Sequence, residues 1–371
     1  MNKKGDFTLN DICWLNCSHQ GPLPKAAIQA AHKALEMKAD PSKLDNALFF
    51  DVPHRLKEQL GQLVNVAPHE IILGNSASYF VHLLAQGLPL DKGDTVLTVQ
   101  GDFPTNIVGW KPLLKKGVNL TSIKPSGNFL QVSDLEKINV RKAKVLCVSW
   151  INSFDGYAID LAELYRFCQD HNIIFCVNVS QALGYKPIDL RQAPVDVLFG
   201  CGFKWLLGPY GTGVGWIRPD IRARMNYAKP YWLHQATPNL GSYQKIGNLS
   251  FSQGRSMDVF GTANFLNFMS WTESVAYLNE VGVQNIESHN LNLVRHLLNH
   301  LPVDKYDILS PGLEEDLSSL AILRPKNEDA VQLIEKLKDE HVFVAMREGN
   351  IRVSPHVYNT LSDIDRLLEV L

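Results

Sequence analysis

Over the first two thirds of the chain, short apolar runs alternate with stretches in which apolar residues recur every three or four positions. The short runs predict strands at 71–73, 95–99, 118–123, 144–149, 173–177, 195–199 and 213–217. Several are apolar at nearly every position, which predicts burial on both faces of a largely parallel sheet covered by helices. Between the fourth and fifth runs, Leu161, Leu164, Tyr165 and Cys168 share one helical face, and Asp160 stands before them as an N-cap. This βαβ unit crosses over right-handedly. Asn152 and Asn178 then reach the same edge of the sheet, where open α/β sheets bind ligands.

The pattern changes after Ile217. Residues 218–254 are rich in Tyr, Pro, Asn and Gln without a sustained period, which predicts an irregular segment that wraps something. Helices return at 271–281, at 284–301 with Ile286, Leu293, Leu297 and Leu301 on one stripe, and at 329–339. Strand-like runs at 317–323 and 350–353 alternate with them, so a domain change is expected within 250–262. A length of 371 residues suits two domains. With 36 basic against 38 acidic side chains, a net charge of -2 offers no global field for nucleic acid or an anionic membrane. Any anion must be caught by a local site. No apolar leader follows Lys3 and Lys4, and no run approaches the ~18 apolar residues of a membrane span, so a cytoplasmic protein is expected. The six cysteines form no CxxC pair and the histidines no HxxxH spacing, so neither a disulfide framework nor a metal site is expected.

Candidate chemistry centres on Lys204. It ends an apolar run and is followed by a turn rich in glycine and aromatic residues, Lys204-Trp205-Leu206-Leu207-Gly208-Pro209-Tyr210-Gly211-Thr212-Gly213. Partial burial of a lysine lowers its pKa toward a nucleophilic amine, which suits Schiff-base chemistry. A stem packed on Trp205 with the ammonium in solvent would give the same local pattern. A second signal is Gly74-Asn75-Ser76-Ala77-Ser78 between a strand and a helix, where small residues leave backbone N–H groups open to a phosphate. Small residues also cap helices that bind nothing.

The run 148–218, with Gly156, Asp160-Leu161, Gln181-Ala182-Leu183-Gly184 and the Lys204 turn, resembles the pyridoxal-phosphate enzymes called class V aminotransferases. The resemblance extends in order through Gly21-Pro22-Leu23-Pro24, Gly93-Asp94-Thr95-Val96, Asp102-Phe103-Pro104 with Trp110, Gly261-Thr262-Ala263-Asn264 and Ile351-Arg352-Val353-Ser354-Pro355-His356. Within the family it is nearest the isopenicillin-N-epimerase-like and hercynylcysteine-sulfoxide-lyase-like branch. The resemblance implies fold type I: a large domain, 15–254, with a mostly parallel seven-stranded sheet, an α+β domain at 255–371, and an arm, 1–14, that joins the smaller one. It also implies that Lys204 carries pyridoxal 5'-phosphate and, once displaced, moves the Cα proton. Ala77 and Ser78 would take the phosphate, with Cys201 where relatives have a phosphate-contacting serine. Phe103 would stack on the ring, Asn152 and Gln181 would reach its hydroxyl, and Thr262 would contact the phosphate of a neighbouring subunit, implying a homodimer. Arg352 would clamp the substrate carboxylate.

Asn178 departs from the pattern, because the family has an aspartate there that keeps the ring nitrogen protonated. Phe203 departs as well, standing where relatives often carry histidine or tyrosine. A neutral amide is compatible with an enzyme tuned toward elimination or epimerisation, with ordinary amino transfer helped by a neighbour, or with a dimer that binds cofactor or a carboxylate without turnover. Cysteine desulfuration is not expected, because no cysteine follows Cys201. The pocket is expected to be lined by His19, Gln20 and the segment holding Tyr231, Trp232, His234, Gln235 and Tyr243, which suggests a substrate larger than alanine.

Overall fold

The computed structural model describes residues 3–226, 254–311 and 317–371. Its strands are β1 Cys13–Trp14, β2 Ile72–Gly74, β3 Thr95–Val99, β4 Asn119–Ile123, β5 Ala143–Ser149, β6 Ile174–Asn178, β7 Val197–Cys201, β8 Gly213–Ile217, β9 Tyr306–Ile308, β10 Ala321–Pro325, β11 Val342–Phe343, β12 Ala345–Arg347 and β13 Asn350–Val353. Seven of them form one sheet in the order β2-β8-β7-β6-β5-β3-β4. Only β8 runs against its neighbours, so the C-terminal ends of β2, β3, β5, β6 and β7 meet at one edge.

Alternate residues of the central strands feed different cores. Leu97, Val99, Leu146, Val148, Phe175, Val177 and Leu198 enter one, while Val96, Val145, Cys147, Cys176, Val197 and Phe199 enter the other. Both faces are covered, which is why these strands are apolar throughout. The helices α1 Lys25–Ala39, α2 Leu48–Val64, α3 Ala77–Gly87 and α4 Leu161–Asp170 precede or cross between strands. The Asp160 side chain accepts the Glu163 amide at 2.9 Å, so α4 starts where its cap requires.

All seven expected large-sheet strands are present, one of them displaced. The run expected at 195–199 is β7, Val197–Cys201, because the Asp196 carboxylate accepts the Phe175 amide and pairs with Arg218 at the entry to the strand. A second sheet, β12-β13-β10-β9, has its own core of Leu293, Leu297, Leu323, Leu333, Ile351 and Leu367. The run expected at 317–323 begins only at Ala321. Ser318 instead donates its hydroxyl to the Gly156 carbonyl at 2.8 Å, holding those residues against the β5 side of the large sheet. The short β1 pairs in parallel with β11, and a bridge joins Asn16 to Ser354, so residues 13–16 lie along the second sheet's elements. No helix among the described residues is long and apolar enough to cross a membrane.

Candidate active site

Lys204 lies three residues past β7, and its backbone is gripped from both sides. Gly21 donates its amide to the Phe203 carbonyl at 2.9 Å, and a Cβ at Gly21 would meet the Lys204 carbonyl oxygen at 2.3 Å. Gly184, at φ +113°, packs equally close to the Trp205 carbonyl. Only glycine allows either approach. The turn closes where Leu207 adopts a left-handed φ of 52° and donates its amide to the Lys204 carbonyl. A branched side chain there is strained, and Ser274 steadies it by donating to the Leu207 carbonyl at 2.7 Å.

The Lys204 ammonium is buried, 5.2 Å from the centroid of Phe103 and 6.0 Å from that of Phe203. Among the described residues it has no carboxylate partner. Burial lowers its pKa, and the charges of Arg352 and Arg347 lower it further against the opposing influence of Cys201 and Cys17. Phe103 is 37% exposed, an aromatic face left open at the sheet edge.

At the end of β2, the Ser76 hydroxyl accepts the Tyr79 amide, leaving the amides of Ala77 and Ser78 without a recorded partner among the described residues. The Ser78 hydroxyl lies 3.2 Å from that of Thr105. Two amides, two hydroxyls and the dipole of α3 favour an anion here.

A buried polar chain underlies the site. Asp102 accepts the Phe103 amide (2.6 Å), the Ser149 amide (2.9 Å) and Asn106 Nδ2 (2.8 Å). Asn106 Oδ1 accepts Asn178 Nδ2 at 2.8 Å, and Asn178 Oδ1 accepts the Ser180 amide at 3.0 Å. The direction of each bond is forced: a carboxylate can only accept, so Asn106 turns its nitrogen to Asp102, and a backbone N–H can only donate, so Asn178 turns its oxygen to Ser180. One Nδ2 hydrogen of Asn178 is left over as a donor. Gln181 is fully engaged, donating to the Ser18 carbonyl (3.1 Å) and the Ser153 hydroxyl (3.2 Å) and accepting Trp205 Nε1 (2.8 Å). Asn152 accepts the Phe154 amide on Oδ1, and its Nδ2 has no partner among the described residues.

Arg352 enters from β13, 1% exposed, donating from Nη1 to the Ser153 carbonyl and hydroxyl, both at 2.9 Å. Its buried Nε has no partner among the described residues, and burial pushes its pKa down to about 9. His19 receives a hydrogen bond from Arg347, and the Gln20 side chain one from Tyr210. Cys201 is buried at the end of β7, its amide donating to the Ser180 hydroxyl at 3.1 Å. Thr262 lines a cleft with Phe50, His54, Lys57, Arg255 and Asp258. Tyr231, Trp232, His234, Gln235 and Tyr243 lie outside the described residues. The sequence reading missed Asn106, Thr105 and Arg347. Thr105 and Arg347 carry no local signal, but the Asp-Phe-Pro-Thr-Asn run does place Asn106 one helical turn after Asp102.

The sequence model described as "Aminotransferase class-V" matches residues 23–367. The chain belongs to that family. Its cofactor is pyridoxal phosphate, and residues here fit it: a buried lysine and helix-start amides that have no partner among the described residues, and an open aromatic face. A probable cysteine desulfurase of Methanothermobacter thermautotrophicus is 23% identical over 98% of this chain and 94% of its own length. Isopenicillin N epimerase of Streptomyces clavuligerus is 24% identical over 96% and 93%. A solved cysteine desulfurase from Thermococcus onnurineus NA1 superposes with a TM-score of 0.85 at 19% identity, covering 99% of this chain and 96% of that one. A cystine C-S lyase with cysteine persulfide gives 0.86 at 18%, covering 97% of each.

Proposed function

We propose that this class-V protein binds pyridoxal phosphate through Lys204 and acts at the Cα amino group of an amino acid, by elimination or epimerisation. The observation that carries this reading is Lys204 itself: a buried ammonium without a carboxylate partner among the described residues, beside an open aromatic face and a buried arginine. When bound, pyridoxal phosphate supplies an aldehyde that links to amino groups and a ring that draws electrons from Cα.

The chain's residues divide the rest of the work. The Ala77 and Ser78 amides, with the Ser78 and Thr105 hydroxyls, hold the phosphate, and Cys201 packs beside it. Phe103 offers its open face to the ring. Asn152 presents an Nδ2 donor toward the ring hydroxyl, while Gln181 acts on that region chiefly by fixing Trp205 and Ser153. Arg352 takes the substrate α-carboxylate, its orphaned Nε being the group that a carboxylate would satisfy. Lys204 Nζ, favoured as a neutral amine by burial, takes the proton from Cα and returns it. Thr262 serves the partner subunit's phosphate in a homodimer.

Asn178 supports the choice of reaction. Its leftover Nδ2 hydrogen suits an unprotonated ring nitrogen and so moderates the pull on Cα electrons, which favours returning the proton to Cα or expelling a β-substituent. The buried carboxylate of Asp102 favours a second reading, ordinary amino transfer, because its negative charge lies behind the same amide. A desulfurase reaction through a protein thiol is not proposed, since all six cysteines are buried and none follows Cys201.

Reconstituting the protein with pyridoxal phosphate tests the whole scheme. A visible absorbance band is expected, altered by amino acids added one at a time, and absent in Lys204→Ala. A band that survives Lys204→Ala ends the proposal. Appearance of the amino group on an added acceptor keto acid, without release of ammonia, would select amino transfer over the other two reactions.

A further inference from the structure

Arg347 and Arg352 share one face of the second sheet. In the antiparallel register, Ala345 stands opposite Arg352 and Arg347 opposite Asn350, so Arg347 is the diagonal neighbour of Arg352 on the same side. The hairpin between them is fixed by left-handed residues at both turn positions, Glu348 (φ 49°) and Gly349 (φ 76°). Arg347 donates from Nη1 to the Met346 carbonyl at 2.8 Å and from Nη2 to His19 Nδ1 at 3.3 Å. Guanidinium only donates, so Nδ1 accepts and His19 is a neutral imidazole with its proton on Nε2. Burial lowers the His19 pKa, and the nearby charges of Arg347, Arg352 and Lys204 lower it further.

Among the described residues neither arginine has an acidic partner, and both act electrostatically on Lys204. The α-carboxylate of an amino acid accounts for Arg352, which is buried. It leaves Arg347, half-buried at the outer side beside His19, without a counter-ion. An amino acid with a neutral side chain would leave this second cation unanswered.

Resting on the reading of Lys204 and Arg352 given above, we propose that the substrate is an α-amino acid whose side chain carries a second acidic group, received by Arg347 and the Nε2–H of His19. The deep arginine fixes the reacting end and the outer one selects the far end. Charge-assisted contacts of this kind separate an acid from its neutral isostere by about tenfold or more.

The test compares glutamate with glutamine and aspartate with asparagine on the cofactor-loaded protein, by absorbance titration and by calorimetry. In the native protein the acids are expected to bind at least about tenfold more tightly than their amides, and Arg347→Gln to bring that ratio close to one, with Arg347→Lys restoring part of it. Equal binding of acids and amides by the native protein overturns this inference alone, as does a ratio that survives Arg347→Gln. If Arg347→Gln weakens acids and amides alike, both arginines grip one carboxylate and the inference also falls. No response to any amino acid, together with no band dependent on Lys204, overturns the underlying reading as well.

Discussion

Asn178 is fixed by two bonds of opposite sense, and this makes a single substitution informative. Replacing it with aspartate would present an acceptor where the native side chain presents a donor, drawing a proton onto a ring nitrogen placed against it. Asn178→Asp is therefore expected to raise transfer of the amino group to an added keto acid relative to elimination or epimerisation, measured as product partition from one amino acid. An unchanged partition would remove Asn178 from the control of reaction type. Asn106 can be tested separately: Asn106→Leu leaves the buried Asp102 carboxylate one donor short and Asn178 free to turn, so weaker retention of pyridoxal phosphate is expected on dialysis. The departure at Asn178 was legible in the sequence because a family pattern surrounds it. Its orientation was not, since that depends on Asn106, which meets it only through the order of β3, β5 and β6, as well as on the neighbouring Ser180.

Several elements are joined by buried charged or titratable groups. His356 ties the end of β13 to the Lys204 turn: its Nδ1 accepts the Val357 amide at 2.8 Å, so Nε2 carries the proton and donates to the Trp205 carbonyl at 3.1 Å. Burial lowers its pKa to about 4. The folded pKa lies below the unfolded value, so the stabilisation is complete above about pH 6.5 and is lost as the pH falls from there toward 4. That loss amounts to about 3 kcal/mol at most. Denaturant unfolding at a series of pH values should show a shallower acid slope in His356→Gln than in the native protein. An identical slope would mean that the ring is not held neutral. At the β2 end of the large sheet, Lys57 of α2 pairs with Asp258 at 2.7 Å, and Asp258 also accepts the Leu73 amide of β2. Lys57→Met leaves that carboxylate buried without its cation and should cost about 3 kcal/mol in the same unfolding measurement. The large-sheet strands were legible because burial on both faces leaves an unbroken apolar run. Residues 317–320, at the start of a run that otherwise reads as a strand, form none, because Ser318 and Leu320 pack around Gly156, a contact that spacing along the chain does not encode.

For the molecule as a whole, Thr262 carries the assembly prediction. It lines a cleft with Lys57 and Asp258, and the role proposed for it is at the phosphate of a second copy of the chain. Sedimentation should report a dimer, and Thr262→Val should weaken cofactor retention without changing the absorbance maximum of the molecules that keep it. A monomer that retains cofactor fully would refute the shared site. The near-neutral net charge fits a molecule whose cations are concentrated rather than spread, with Lys204, Arg347 and Arg352 gathered in one place.

The pairing of β1 with β11, the bridge from Asn16 to Ser354 and the bond from Gly21 to Phe203 also set a timetable for synthesis. The Lys204 turn needs residues 16–21 against it, and those residues need partners that emerge from the ribosome more than three hundred positions later. The large sheet can therefore collapse while translation continues, but the lysine's surroundings close only once residues 342–354 are free. Contacts so distant in sequence are slow to form. During elongation, this turn is expected to be the last part of the large sheet's edge to gain protection from proteases.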